Sequence, residues 1–267
     1  MPLICIDQPD DPRIAGFRDI RERDLTGRQG LFVAEGEVVL NVLTSAQSRC
    51  RPVSLLLDRK RVEGLAGLLA RVAADTPVYV ADPPVLDAIA GFHLHRGILA
   101  LGEKPPVQGL EACLDAMGPE AVVVAACGIG NHDNMGGVFR NAAAFGAGAV
   151  LLDRQCCDPF YRKAIRVSVG AVLRTSMATD LDAPVMVEGL KAAGFVVLAL
   201  TPGTSEPLET IPRGGRVAIV LGPEGPGLAP TVIERCRRVG IPMSGGFDSL
   251  NVSVASGIAL HHFTRKA

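Results

Sequence analysis

The sequence predicts an α/β protein with a mostly parallel sheet. Three observations support this fold class. The chain has 267 residues, 48% hydrophobic and only 4% aromatic with no Trp, so its core is built mainly from Val, Leu, Ile and Ala. Its second half contains short, uninterrupted apolar runs, and most segments between them have helical periodicity. Buried apolar strands that alternate with helices are typical of a parallel sheet covered on both faces.

In the first hundred residues, short β-type runs alternate with helical patterns. Strands are predicted at 32–34, 53–57, 78–80 and 98–101, and helices at 38–46, at 62–73 and from Pro83 onward. The segment 102–120 is rich in Pro and Gly around one short helical piece. It predicts a domain boundary near residue 105, which separates a small α/β domain (1–105) from a larger one (106–267).

The second region contains the longest apolar runs. Strands are predicted at 122–126, 149–152, 195–200, 217–221 and 239–242, and helices at 133–145 and 252–264. In an open parallel sheet, ligands bind outside the carboxyl ends of the strands. Polar residues in the loops that follow these strands are therefore candidate site residues.

Composition and charge exclude several classes of protein. A net charge of -1 argues against a general polyanion-binding protein, although it allows local basic patches. The seven cysteines are scattered without a Cys-x-x-Cys pair, which predicts reduced core residues and no metal site, the adjacent Cys156 and Cys157 included. The chain starts without a signal-peptide pattern, and its apolar runs are too short to cross a bilayer. We therefore expect a cytoplasmic protein.

The loop after strand 122–126 resembles a dinucleotide-binding turn, but its third glycine position is Asp133, so that fingerprint is broken. No Gly-Lys dipeptide occurs in the chain, which excludes the usual phosphate loop. In the helix that follows, Asp133 or Asn134 is a good N-cap candidate. Arg140 stands among Val138 and small apolar residues, where a guanidinium needs a partner or a cavity; the alternative is a salt bridge on the helix surface.

Two later loops carry further polar groups. The segment Leu221–Leu228 follows a strand directly; its glycines permit close backbone approach to a ligand, and Glu224 is its one anion. The alternative for Glu224 is a tight turn at a helix start. After Ile241, Ser249 or Asn251 opens the last helix, where a cap explains either residue taken singly.

Together, these segments resemble a known family. The pattern Asn134-x-Gly136-x-x-x-Arg140, the loop Leu221–Leu228, and Ile241-Pro242 followed by Ser249-Leu250-Asn251-Val252-Ser253 resemble, in order and spacing, the three motifs of the SpoU (TrmH-like) RNA ribose methyltransferases. The likeness covers about residues 120–265, and the segment 158–171 shares it. Segments 32–36 and 91–100 are more loosely similar to the small substrate-binding domain of the family, in which many members have Gln in place of Arg96.

The resemblance implies a fold and partners that the residues alone do not. It implies a parallel α/β domain whose C-terminal segment forms a deep trefoil knot (the SPOUT class), preceded by a small α/β RNA-binding domain. It also implies S-adenosylmethionine as cofactor and a homodimer with the active site close to the interface. The resemblance implies catalytic roles for Asn134, Arg140, Glu224, Ser249 and Asn251. It implies cofactor binding by Thr201, Gly222, Ile241, Met243, Leu250 and Ser253. The implied RNA-binding residues are Arg96, Arg162, Lys163 and Arg166.

The expected activity is S-adenosylmethionine-dependent methylation of a ribose 2′-hydroxyl in structured RNA, with ribosomal RNA favoured over transfer RNA. Because a guanidinium does not deprotonate in proteins, we expect Arg140 to orient the ribose and stabilise negative charge on O2′. The basic residues Arg154, Arg162, Lys163, Arg166 and Arg174 form a candidate phosphate-contacting surface, the alternative being a solvated helix face. Two other functions stay open: an RNA-binding or ribosome-associated protein without catalysis, and a methyltransferase that acts on an RNA base.

Overall fold

The chain folds into two compact units in a computed structural model that describes residues 2–18, 30–90, 97–204, 206–245 and 249–264. The first unit comprises Met1–Pro105 together with Asp158–Arg174. The second comprises Pro106–Cys157 and Thr175–Ala267. A segment from the second half of the sequence is therefore part of the first unit.

The first unit contains a five-stranded mixed sheet in the order β1-β4-β3-β5-β2. Strands β1, β4 and β3 are parallel, and β5 runs antiparallel to both of its neighbours, β3 and β2. The strands are β1 Leu3–Ile6, β2 Leu31–Glu35, β3 Arg51–Asp58, β4 Val78–Ala81 and β5 Ile98–Glu103, and the helices are α1 Glu37–Leu43, α2 Ala66–Leu69 and α3 Pro83–Ala90.

Two sequence-based expectations for this unit are wrong in detail. The helix expected at 62–73 is one 3-10 turn (Glu63–Leu65) followed by the short α2, and the glycines Gly64 and Gly67 explain the weak helix because Gly is a poor helix former. Strand β1 was not expected at all. The loop that carries Arg96 lies outside the described residues.

The segment Asp158–Arg174 is held to the first unit by an aromatic and an ionic contact. The rings of Phe160 and Phe32 have centroids 5.3 Å apart, and Lys104 Nζ lies 2.6 Å from Asp158 Oδ2. The segment contains helix α6 (Arg162–Val167), which packs against β2. Both contacts join residues more than fifty positions apart, so neither is visible as a local sequence pattern.

The second unit is built on a six-stranded sheet in the order β11-β9-β10-β6-β7-β8, and all its strand pairs are parallel. The prediction of a parallel α/β architecture is thereby confirmed. The strands are β6 Val122–Ala126, β7 Ala149–Asp153, β8 Met177–Leu181, β9 Val196–Leu200, β10 Val217–Leu221 and β11 Arg237–Val239. The helices are α4 Leu110–Asp115, α5 His132–Phe145, α7 Ala183–Ala192, α8 Pro230–Ile233 and α9 Val252–Thr264.

Strand β11 begins and ends earlier than expected, at Arg237–Val239 instead of 239–242. After Val239 the chain leaves the ladder, because Gly240 N donates to Glu206 O at 2.9 Å and Gly240 O accepts from Leu208 N at 2.7 Å. Ile241 and the residues that follow are thus released into a loop beyond the carboxyl end of the sheet.

The strand order places a topological switch point between β6 and β10. From β6 the chain proceeds outward through β7 to β8, and it then returns to the other side of β6 for β9, β10 and β11. The loops after β6 and β10 consequently diverge at the carboxyl edge, which is where ligands bind in open parallel sheets. The three motifs of the sequence all lie at this edge.

Candidate active site

A cleft of about 610 Å³ opens at the carboxyl ends of β9, β10 and β11. Its volume falls within the range of small-molecule and cofactor sites. Its walls come from the end of β9, the loop after β10, the segment after β11 and the start of α9. It is lined by most of the residues that the sequence singled out: Thr201, Gly222, Glu224, Ile241, Met243, Ser249, Leu250 and Asn251.

The loop Leu221–Leu228 folds back on itself, and Gly222 makes this possible. A Cβ at position 222 would lie 2.6 Å from the backbone N of Leu228, closer than real Cβ contacts. Gly225 and Gly227 have φ of 87° and 70°, a region that side chains other than Gly rarely adopt. The glycines therefore allow the backbone conformation of the loop, and this conformation exposes the backbone groups of the loop to the cleft.

Asn251 connects three parts of the site through different atoms of one amide. Its Nδ2 donates to Asn134 Oδ1 at 2.8 Å and to Glu224 Oε1 at 2.7 Å. Its Oδ1 accepts from the backbone N–H groups of Ser253 at 3.0 Å and Val254 at 3.3 Å, as an N-cap of α9 does. Capping and site assembly are thus simultaneous roles of this residue.

Asn134 does not cap helix α5. The N-cap is Asn131, whose Oδ1 accepts from the backbone N of Asp133 at 2.8 Å and of Asn134 at 3.4 Å. The capping interpretation of Asp133 and Asn134 is therefore wrong. The side chain of Asn134 is buried, and its Oδ1 is held by Asn251. The signal for Asn131, an Asn directly before the first helical residue, was present in the sequence.

Helices α5 and α9 are locked together beneath this site. Asn141 Nδ2 donates to Ser253 O at 2.5 Å and to Ser256 Oγ at 2.9 Å. Gly137 faces Ser253, and a Cβ at 137 would lie 2.5 Å from the Ser253 Cβ. Ser253 Oγ donates to Asn251 Oδ1. Ser253, a predicted cofactor residue, is therefore not among the residues that line the cleft; it supports Asn251.

The loop after β6 is fixed by the buried Asp153 at the end of β7. Its Oδ1 accepts from Gly128 N at 2.9 Å and from Gln155 N at 3.0 Å. Burial, followed by the nearby Asp153 charge, raises the pKa of Cys127 to about 12 and also raises that of Cys156. Neither Asp153 nor Asn141 stood out in the sequence, because a single polar residue in an apolar element has no distinctive pattern.

Thr201 offers the cleft an unused hydrogen-bonding group. It follows β9, it is only 9% exposed, and its Oγ1 is buried with no hydrogen-bond partner among the described residues. Because buried hydroxyls are normally hydrogen-bonded, this atom marks a place where a ligand supplies the missing partner. Its position in the cleft wall agrees with that role.

Arg140 is not brought into the cleft. It is exposed, it is absent from the cleft lining, and its guanidinium has no hydrogen-bond or ion-pair partner within the described ranges. Neither the expected cavity nor the alternative surface salt bridge is observed. Helical geometry gives the reason: Arg140 lies six positions after Asn134, which places their side chains about 120° apart around the helix axis, on different faces of α5.

The predicted RNA-binding residues divide between the two units. Arg162, Lys163 and Arg166 lie on α6 in the first unit, where Lys163 and Arg166 are exposed and Arg162 is half-buried. Arg174 belongs to the same unit and bonds to Gln47 at 3.0 Å. Arg154 belongs to the second unit, where its Nε lies 3.6 Å from Asp180 Oδ1. The basic span of the sequence is therefore not one continuous segment of one unit.

The described residues contain neither a metal-binding cluster nor a membrane-spanning helix. No cluster of three or more His, Cys, Asp or Glu side chains suited to a metal ion occurs among the described residues. Within the same residues, no helix combines the length and apolarity that a bilayer span requires.

Comparison with known proteins identifies the family. Residues 121–261 match the model of the SpoU rRNA Methylase family. An uncharacterised tRNA/rRNA methyltransferase of Mycobacterium bovis is 38% identical over 96% of this chain and 90% of its own length. A 23S rRNA (guanosine-2′-O-)-methyltransferase, RlmB, of a Burkholderia species is 31% identical over 73% of this chain and 79% of its own.

A solved structure shares the fold. The crystal structure of an AdoMet-bound rRNA methyltransferase from Sinorhizobium meliloti matches this chain with a TM-score of 0.79, and the match covers 97% of both chains at 23% identity. The order of the three motifs, the parallel sheet and the match to the family model agree with one another. The chain belongs to the SpoU rRNA methylase family.

Proposed function

We propose that this protein is an RNA methyltransferase that uses S-adenosylmethionine to methylate a ribose 2′-hydroxyl in structured RNA. The observation that carries the proposal is the joining of Asn134, Glu224 and Asn251, one from each motif, at one cleft. The Burkholderia relative is named for ribose methylation of 23S rRNA, which favours ribosomal over transfer RNA as the substrate.

The cleft suits S-adenosylmethionine in size and in chemistry. Its volume of about 610 Å³ accommodates a nucleoside with an amino-acid chain. The orphaned Thr201 Oγ1 needs a polar ligand atom, and Gly222 keeps the loop backbone free of a side chain. In this proposal Thr201, Gly222, Ile241, Met243 and Leu250 hold the adenosine, and Ser253 acts indirectly by fixing Asn251.

When bound, the cofactor supplies a methyl group activated by a sulfonium. The chain must then hold the attacking 2′-hydroxyl in line and stabilise negative charge on O2′. Asn134, Glu224 and Asn251 form a rigid frame beside the cleft, and Ser249 lines the same wall. The anionic Glu224 also complements the positive charge of the cofactor.

Arg140 enters this mechanism through a second subunit. Its guanidinium is exposed and turned away from Asn134, so it cannot serve the cleft of its own chain without a change in α5. We therefore assign it to the cleft of the partner in a homodimer, where it orients the ribose and stabilises charge on O2′. Val254 and Ile258 on α9 support a homodimer: they are 50% and 39% exposed and lie four residues apart, as on an unpartnered apolar helix face.

The first unit is proposed to select the RNA. Lys163 and Arg166 on α6 present exposed positive charge there, and Arg162 and Arg96 complete the set implied by the family. Phosphate contacts make RNA affinity fall steeply with salt. The domain roles proposed here are substrate binding for residues 1–105 together with Asp158–Arg174, and catalysis for the rest of residues 106–267, with a trefoil knot formed by the C-terminal segment.

The decisive experiment maps 2′-O-methylated nucleotides in RNA from cells with and without the gene. The proposal expects one or a few sites in ribosomal RNA to lose methylation, and the purified protein to restore them when given S-adenosylmethionine. Loss of a base methyl instead would favour a base-directed enzyme. RNA binding with no cofactor binding and no methyl transfer would favour the non-catalytic alternative.

A further inference from the structure

Among the described residues that line the cleft, Arg238 is the one with a positive charge. It lies on β11, it is exposed, and its guanidinium makes no hydrogen bond or ion pair with any residue in the described part of the chain. No role for it follows from the three motifs, since it lies between the second and the third.

The neighbouring arginines differ from Arg238 in this respect. Arg237 Nε donates to Glu206 Oε2 at 2.9 Å, and the same pair makes a second, shorter bond. Arg235 Nε lies 3.6 Å from Glu188 Oε1 and its Nη1 binds Thr231 O at 2.5 Å. The two neighbouring arginines thus have partners, whereas the described residues provide none for the guanidinium of Arg238.

Strand geometry fixes the direction of Arg238. Successive side chains of a strand point to opposite faces, so Arg237 and Arg238 lie on opposite sides of β11. Arg238 pairs with Ala199 of β9, and its neighbour Val239 is fully buried, which holds the backbone of β11 in register. The strand therefore aims one arginine at Glu206 and the next toward the cleft.

The described residues that line the cleft carry one charge of each sign, at separate places. Glu224, bonded to Asn251, follows β10, whereas Arg238 lies on β11, and β9 is between them. Two strand spacings separate the two elements by about 10 Å. The cleft thus complements a ligand that has a cationic group near Glu224 and an anionic group at some distance from it.

We propose that Arg238 binds the α-carboxylate of S-adenosylmethionine. The carboxylate is the only anionic group of this cofactor, and a guanidinium fork matches a carboxylate in geometry and charge. The cationic sulfonium, which lies further along the cofactor, is repelled by Arg238 and favoured toward Glu224. This inference rests on the proposed function, and it adds to it the residue that recognises the amino-acid end of the cofactor.

The test is a titration calorimetry series on the full-length protein with ligands that differ in the carboxylate. S-adenosylmethionine and S-adenosylhomocysteine have it; 5′-methylthioadenosine lacks the whole amino-acid portion. Arg238→Met removes the charge and keeps the apolar stem, Arg238→Lys keeps the charge without the fork, and Arg237→Met on the same strand is the matched control. The proposal expects Arg238→Met to weaken both carboxylate ligands at least about tenfold, equal to about 1.4 kcal/mol, and to leave 5′-methylthioadenosine unchanged.

Several outcomes overturn the inference while the proposed function stands. Unchanged S-adenosylmethionine affinity in Arg238→Met, an equal loss for all three ligands, or the same loss in Arg237→Met would each exclude a carboxylate contact. Weaker RNA binding with unchanged cofactor affinity would assign Arg238 to an RNA phosphate. Circular dichroism and partial rescue by Arg238→Lys show whether Arg238→Met is folded. Absence of any cofactor binding by the wild type would contradict the proposed function itself.

Discussion

The Nδ2 atom of Asn251 donates a hydrogen bond of 2.7 Å to the Oε1 atom of Glu224, across 27 residues of chain. The same amide group reaches Asn134, so one side chain joins the loop after β10, the first turn of α5 and the start of α9. Each of these contacts alone is an ordinary hydrogen bond. Their convergence on one side-chain amide makes Asn251 the residue on which the geometry of the site depends most.

The substitution Asn251→Asp separates the two roles of this residue. Asp is as good an N-cap as Asn, so the contacts of Oδ1 with the start of α9 persist. The second carboxylate oxygen cannot donate and repels Glu224. We expect methyl transfer to fall about 100-fold through misplacement of the site, with a loss of about 1 kcal/mol in the free energy of unfolding.

Asn251→Ala is the companion variant, because it removes the cap as well and should unfold at a lower temperature than Asn251→Asp. Steady-state kinetics and thermal denaturation of both variants provide the comparison. Wild-type turnover in Asn251→Asp would show that the bridge to Glu224 and Asn134 is dispensable.

Arg140 is expected to act on the cleft of the partner subunit, and subunit mixing tests this directly. Arg140→Ala and Glu224→Gln should each be nearly inactive as homodimers, and removal of the charge-stabilising donor Arg140 should cost on the order of 10²–10³ in rate. In a mixed dimer, one cleft combines an intact Glu224 with an intact Arg140 from the other chain. Random mixing should therefore restore about a quarter of wild-type activity.

If Arg140 acts within its own chain, neither cleft of the mixed dimer is complete and mixing restores nothing. Cofactor affinity and melting temperature of the Arg140→Ala protein should equal those of the wild type, because the guanidinium makes no contact within the described residues. Measuring both excludes a folding defect.

The sequence predicted central elements of the fold better than edges. Strands β6, β7, β9 and β10 are apolar on both faces and were recognised from that pattern alone. The strands that were missed or misplaced, β1, β8 and β11, are all at sheet edges. All three are short, and β8 and β11 also carry charged residues, which are typical of edge strands, so their apolar pattern is weak.

The candidate site was predicted as a set of loops, and its internal geometry was not. Residues that follow parallel strands must meet at one edge, which explains why Thr201, Glu224 and Ile241 share a cleft. Which atom of Asn251 contacts which neighbour depends on packing between α5 and α9. The place of Asp158–Arg174 in the first unit depends on Phe160 and Lys104, whose partners are remote in sequence.

Gly222→Ala should disrupt the loop that forms one wall of the cleft. The added Cβ would lie 2.6 Å from Leu228 N and 2.9 Å from Gly227 C, and backbone atoms cannot move aside as a flexible side chain does. We expect a loss of about 1–3 kcal/mol, as for other overpacked sites, together with loss of cofactor binding.

Gly130→Ala is the matched control for this substitution, since a Cβ there meets nothing within 4 Å. Calorimetric binding and thermal denaturation of the two variants are compared side by side. Equal behaviour of the two would mean that the loop tolerates a side chain at position 222.

Buried thiols should make the protein less stable at alkaline pH. Burial raises the pKa of Cys50 and of Cys127 to about 12, whereas their unfolded value is near 9.0. A folded pKa above the unfolded one means that the unfolded chain binds fewer protons in this window. The contribution of each thiol to the free energy of unfolding is therefore fully present below pH 9. It declines as pH rises toward 12, by about 1.4 kcal/mol per pH unit and thiol.

Urea denaturation between pH 8 and pH 10.5 measures this slope. Because other groups titrate in the same range, the informative quantity is the difference between the wild type and Cys127→Ala, which should have a shallower decline. Parallel curves for the two proteins would contradict the assigned pKa of Cys127.

Arg216 should stabilise the second unit because it donates hydrogen bonds to three carbonyl groups at the end of the sheet opposite the cleft. Its Nε donates to Gly118 O at 3.2 Å, Nη1 to Ala193 O at 2.8 Å and Nη2 to Met117 O at 2.5 Å, and its guanidinium lies 5.3 Å from the centre of the Phe195 ring. Met117 and Ala193 follow the ends of α4 and α7, where unpaired carbonyls accumulate and a cation is favoured. One side chain thus supplies hydrogen-bond donors to carbonyl groups at the C-terminal ends of two helices.

Arg216→Ala removes all three bonds and leaves these carbonyls to water. We expect a loss of about 2 kcal/mol, the scale of hydrogen bonds that involve a charged group, and Arg216→Lys should recover only part of it because a single ammonium cannot span the three acceptors. Arg213→Ala removes the same charge from an exposed site in the preceding loop and should leave the melting temperature unchanged. If Arg213→Ala lowers it as much as Arg216→Ala, net charge and not the three carbonyl contacts accounts for the stabilisation.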